Sequence, residues 1–148
     1  MAIRGAFTAH TQREPSMEMD ADAAQAAIAG DFPASAASVP VARHWACRWA
    51  RQVGLADVLV ERLSVNVTEL VANAVVHARS PFRVSLSLMG SGVRIEVTDA
   101  SEELPRPVHA APDALSGRGL AIVRALSASA GVTHIPEQGK RVWSEVEP

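Results

Sequence analysis

From Phe82 to Thr98 the chain alternates strictly enough to dictate a hairpin. Phe82, Val84, Leu86 and Leu88 share one parity against Arg83, Ser85 and Ser87. After Gly90-Ser91-Gly92, Val93, Ile95 and Val97 do the same against Arg94, Glu96 and Thr98. Successive side chains of a strand point to opposite faces, so this pattern predicts two antiparallel strands with one apolar face and one wetter face. A sheet of that kind must bury its apolar face under another layer.

Helical periodicity on both sides of the hairpin supplies that layer. Ser38 and Pro40 open a first helix in which Val41, Trp45, Trp49 and Val53 recur every fourth residue, with Arg43, Arg48, Arg51 and Gln52 on other faces and Gly54 as the stop. A second helix is expected from Ala56 to Ala78, ended by Ser80-Pro81, because a residue before proline is pushed out of helical geometry. A third starts at Gly117-Arg118-Gly119 and runs through Leu120 and Leu126. Val132 to Ile135 and Lys140 to Val146 read as a closing hairpin, and Asp31 to Ser35 as a short leading strand interrupted by Pro33. The order is βααββαββ. It predicts an α+β two-layer sandwich, with a mixed, mainly antiparallel sheet and helices on one face.

Length allows one domain. Residues 1–29 have weak periodicity and read as a poorly ordered N-terminal extension, leaving 30–148 as the folded unit. Ala100 to Ser116 carries prolines without apolar periodicity and reads as a long functional loop.

Composition narrows the function. Aromatics make up 4% of the chain and the net charge is -2, so neither base stacking nor a basic patch points to direct nucleic-acid binding. The single Cys47 reads as a buried small hydrophobe, and no cysteine or histidine cluster has zinc spacing. No apolar run is long enough for a membrane span, and no signal-peptide pattern is expected in the first thirty residues, so a cytoplasmic location is expected.

The second helix carries the chemistry. Glu69, Asn73 and His77 lie four residues apart on one stripe, joined by Asn66, and Glu69 is the only formal charge between Val65 and Ala78. A polar line so poor in charge is expected to face a cavity rather than bulk water. Asp99 stands where a strand leaves the sheet, and Gly117-Arg118-Gly119-Leu120 opens a helix after the long loop. Glycines there let backbone approach a phosphate, while free amides at a helix N-terminus favour an anion. Each motif also has a plain structural use: helix caps for Glu69 and Asn73, a turn for Asp99, a hinge for the glycines.

Together, Glu69-Leu-Val-Ala-Asn73-Ala-Val-Val-His77-Ala78, Asp99-Ala-Ser101 and Gly117-Arg-Gly119 resemble the GHKL ATP-binding superfamily of gyrases, chaperone ATPases, histidine kinases and MutL. The resemblance spans about Asp31 to Glu147 and is strongest to bacterial anti-sigma-factor serine kinases. It implies the Bergerat ATP-binding fold. It further implies that Asn73 is a Mg²⁺ ligand, Glu69 is the general base of phosphoryl transfer, Asp99 accepts from the adenine amino group, and the long loop is the ATP lid. His77, Ser101, Gly117, Arg118, Gly119 and Leu120 are the further nucleotide-binding positions it implies. Ser101 departs from the glycine common in that motif. In Gly139-Lys140-Arg141, the resemblance places Arg141 where a threonine helps hold adenine; Trp143 reads as packing.

The resemblance implies ATP and Mg²⁺ as cofactors, and as partners a sigma factor and a small anti-sigma-factor antagonist phosphorylated on serine, with a possible homodimer. The alternative is a nucleotide-gated protein-binding regulator that transfers no phosphate.

Overall fold

The computed structural model describes residues 26–77, 80–101 and 118–148, with the side chain of Arg118 left out. The expected extension up to residue 25, the lid from residue 102 onward, Gly117 and Ala78 lie outside the described residues.

Five strands and three helices follow in the expected order: β1 (Ala27–Phe32), α1 (Ser38–Gln52), α2 (Asp57–His77), β2 (Phe82–Met89), β3 (Gly92–Asp99), α3 (Arg118–Leu126), β4 (Ser129–Ile135) and β5 (Gly139–Val146). The sheet order is β1-β2-β3-β5-β4. Every described pairing is antiparallel, so the sheet is not mixed as expected. The fold is α+β.

The predicted hairpin forms around Gly90-Ser91, with Met89 opposite Gly92 and Arg83 opposite Thr98. Its apolar parity, Phe82, Val84, Leu86, Ile95 and Val97, is buried almost completely. Against it lies α2, whose Leu63, Val67, Leu70, Val71 and Ala74 are buried in turn. Burying one such aliphatic side chain stabilises by about 1.5–3 kcal/mol, which outweighs the modest helix propensity of a valine-rich segment. Asp57 in the first turn of α2 favours the positive end of the helix dipole.

Two expectations are corrected. The leading strand is Ala27–Phe32, not Asp31–Ser35; it pairs along β2 from Ser87 to Phe82 and stops at Pro33, which has no amide to donate. It also begins inside the segment read as an extension. In α1 the buried stripe is Ala42, Ala46, Trp49 and Ala50, whereas Val41 is 58% exposed. Small residues every fourth position let α1 sit close against α2, so the helix turns its alanines inward. Trp45 packs edge-on against Phe32, with ring centres 5.5 Å apart, and Cys47 is buried as expected.

Candidate functional site

The polar stripe of α2 divides along its length. Asn66 is fully buried, and its Nδ2 donates to Ser127 Oγ at 2.9 Å and to Ser144 Oγ at 3.3 Å. It is therefore an internal tie between α2, the end of α3 and β5, and does not face a cavity. Glu69 and Asn73 are half-buried further along the same face, and His77 is exposed at the helix end.

Glu69 meets the first turn of α3. A Cβ built on Gly119 would lie 2.5 Å from Glu69 Oε2. Any side chain at this position would push the carboxylate aside, so the glycine keeps backbone and carboxylate in close approach. Leu120 is half-buried and packs against the core, which makes it an anchor for α3. Arg118 is the first residue of the helix.

A second cluster forms where β3 and β5 end side by side. Asp99, the last residue of β3, is opposite Lys140 in the register and is 3% exposed. Its Oδ1 accepts from the Ser101 amide at 2.8 Å and from Lys140 Nζ at 3.2 Å. Its Oδ2 is buried with no hydrogen-bond partner among the described residues. An unpaired buried carboxylate oxygen costs free energy, so its presence marks a position where a donor fits. Gly139 makes the arrangement possible: its φ is 110°, and a Cβ there would strike the Asp99 carbonyl oxygen.

Lys140 was not singled out by motif reading. It is the only lysine of the chain and has no solvent exposure. The signal that could have found it is parity. Val142, Ser144 and Val146 face the helices, and alternation puts Lys140 on that same buried side. Arg141 must then point the other way. It pairs with Glu96 at 3.4 Å on the face opposite the helices, away from the side that carries Asp99 and Lys140.

That second face carries a line of charges. Arg94 bonds Glu96 at 2.7 Å and Glu145 at 2.6 Å, Ser129 donates to Glu145 at 2.8 Å, and the Arg94 guanidinium lies 4.3 Å over Trp143. Trp143 is thus a packing residue, as expected. Burial pulls the Arg94 pKa down, yet the bonds to Glu96 and Glu145 raise it overall. A shallow cavity beside Met89, Val93 and Val146 lies at the far end of β3 from Asp99 and is lined in part by Glu145. Among the described residues no three His, Cys, Asp or Glu side chains converge as a metal cage, and no helix is long and apolar enough to cross a membrane.

Residues 32–144 match the family described as the histidine kinase-like ATPase domain. Among solved structures, the chain is similar to the RsbU and RsbW domains of Rv1364c from Mycobacterium tuberculosis, with a TM-score of 0.61 and 20% identity. The match covers 80% of this chain but only 32% of that one, and at this identity it speaks for the fold. No curated protein matches the chain.

Proposed function

The chain belongs to the histidine kinase-like ATPase domain family, and from that premise we propose that it is an ATP-binding regulator of the anti-sigma kind that phosphorylates a small antagonist protein on serine. The observation that carries this reading is the contact of Glu69 with the Gly119 turn. A carboxylate held beside a helix N-terminus stands where a general base and a phosphate cradle must be neighbours.

The residues fit an adenine nucleotide at the other end as well, because Asp99 Oδ2 is an acceptor without a donor among the described residues. Bound Mg·ATP would supply the transferable phosphoryl group and the metal charge that neutralises it. Asn73 would offer its side-chain oxygen to the metal, which takes few protein ligands and keeps phosphate and water oxygens. Glu69 would hold the partner's serine hydroxyl and take its proton at a carboxylate oxygen. The amides of the first turn of α3 would face the phosphates, and Leu120 would keep that turn docked on the core. The sigma factor and antagonist are inferred from the resemblance and from the RsbW domain in the name of the similar structure.

The test pairs calorimetry with transfer of labelled γ-phosphate to proteins captured with Mg·ATP. Glu69→Gln should keep ATP affinity and lower transfer by about 10²–10⁴-fold, the usual share of a general base. Label on a serine of a small captured protein supports the kinase. Unaltered transfer in the variant sinks the role of Glu69. ATP binding with no transfer by the wild-type protein would leave a nucleotide-gated binder, and absence of ATP binding would sink both.

A further inference from the structure

Among the described residues, Asp99 is held by two donors on one oxygen and none on the other. The Ser101 amide and Lys140 Nζ both reach Oδ1, at 2.8 and 3.2 Å. A backbone amide and an ammonium can only donate, so the atom at the Oδ1 position has to be an acceptor. Lys140 is itself fully buried, so it is tied to this carboxylate rather than to solvent. The remaining oxygen, Oδ2, is buried and without a partner among the described residues.

We propose that Lys140 is a positioning residue for base selection: with the Ser101 amide it pins Asp99 Oδ1 and so holds the other carboxylate oxygen, Oδ2, in a fixed place as the acceptor that meets the base, which selects a 6-amino purine over a 6-oxo purine. The proposal rests on the reading of Asp99 as the base-binding residue of a nucleotide site. It adds that the selectivity belongs to a three-part unit, of which Asp99 is the part facing the ligand. A 6-amino group donates to Oδ2; a 6-carbonyl would set two acceptors against each other in a buried place, which is costly.

The unit makes an unusual demand on an isosteric substitution. In Asp99→Asn the side-chain carbonyl must take the Oδ1 position, because two donors face it. The amide NH₂ then occupies the Oδ2 position and presents a donor. Base preference should therefore invert, not merely weaken. With Lys140→Met added, one of the two pinning donors is gone and the amide is freer to turn, so the preference should relax toward parity.

The experiment measures binding of ATP and inosine triphosphate by calorimetry to the wild-type chain, Asp99→Asn, and Asp99→Asn/Lys140→Met, each checked for folding by thermal melting. Expected are a wild-type preference for ATP of about tenfold or more, the scale of one hydrogen bond to a charged group, an inverted preference in the single variant, and a ratio near one in the double. Since Lys140 is the only lysine, ¹⁵N-lysine labelling gives one ζ signal. It should shift with ATP and stay put with tripolyphosphate, which carries no base. If the wild-type chain binds no ATP, the nucleotide reading falls and takes this proposal with it. If it prefers ATP but Asp99→Asn does too, or if the double variant inverts as fully as the single one, the positioning role of Lys140 is overturned and the nucleotide reading stands. A ζ signal that tripolyphosphate moves as far as ATP does also counts against Lys140.

Discussion

On the helix-covered face, β3 and β5 join Asp99 to Lys140 at 3.2 Å with both side chains at 1% exposure or less. On the opposite face the same two strands join Arg94 to Glu145 at 2.6 Å and Arg141 to Glu96 at 3.4 Å, with side chains between 8 and 25% exposed. Distance does not separate the two sets; burial does. The outer groups are close to water, and their attraction is offset by screening and side-chain entropy. The inner pair has lost its water on both sides. A well-packed apolar pair would serve stability there as well or better, so burial of these ions is weak evidence for a stabilising role. One strand pair thus holds ions in two environments, decided by parity.

The contrast breaks most visibly at Asp99. Asp99→Ala leaves Lys140 buried without its carboxylate and should cost about 3–5 kcal/mol in denaturant unfolding. Asp99→Leu with Lys140→Met should recover most of that loss. A cost below about 1 kcal/mol would make the inner pair no different from an exposed one. On the outer face Arg94→Ala removes two ion pairs and the cover over Trp143, and should cost about 1–2 kcal/mol, with the electrostatic part shrinking in high salt. A salt-independent cost equal to that of Asp99→Ala would erase the comparison.

The smallest effect concerns acid. A hydrogen bond from Ser129, aided by Arg94 and opposed by burial, holds the Glu145 carboxyl below its ordinary value of 4.5. A group with a lowered folded-state pKa contributes stability that is full above its unfolded value and is lost as pH falls through the folded one. Wild-type stability should therefore decline below about pH 4.5, and Glu145→Gln should flatten part of that decline. Parallel acid titrations of the two proteins check it; identical curves would remove Glu145 from the account.

How much of this was legible depended on which physical signal each region carried. β2 and β3 have a complete period-two pattern, so both strands and the turn between them followed from the residues to within one position at the hairpin ends. β1 has Ala27, Ala29 and Gly30, too small to show a pattern, and pairing with β2 decides its limits. In α1 the large residues marked only the edge of the buried face: Trp49 is buried and Trp45 and Val53 pack on the core, while Ala42, Ala46 and Ala50 turn fully inward and Val41 turns outward. Glu69, Asn73 and Asp99 stand out by their spacing and their motifs, and the structure sets Glu69 against Gly119 and Asp99 against Lys140. Lys140 escaped the motif for a simple reason: a motif counts residues along the chain, whereas a strand assigns consecutive residues to opposite sides, Lys140 to the helix-covered one and Arg141 to the other. Asn66 looked like its stripe neighbours until Ser127 and Ser144, distant in sequence, closed around it.

Asn66 also works as a key in a shaft. A helix advances about 1.5 Å per residue, so the amide that locks into two hydroxyls lies roughly 4.5 Å of axis from Glu69 and about 10 Å from Asn73. A rigid helix has one angular setting for all three. Whatever rolls Asn66 out of its slot turns Glu69 and Asn73 through the same angle, so the direction of both side chains is set at a buried point removed from either.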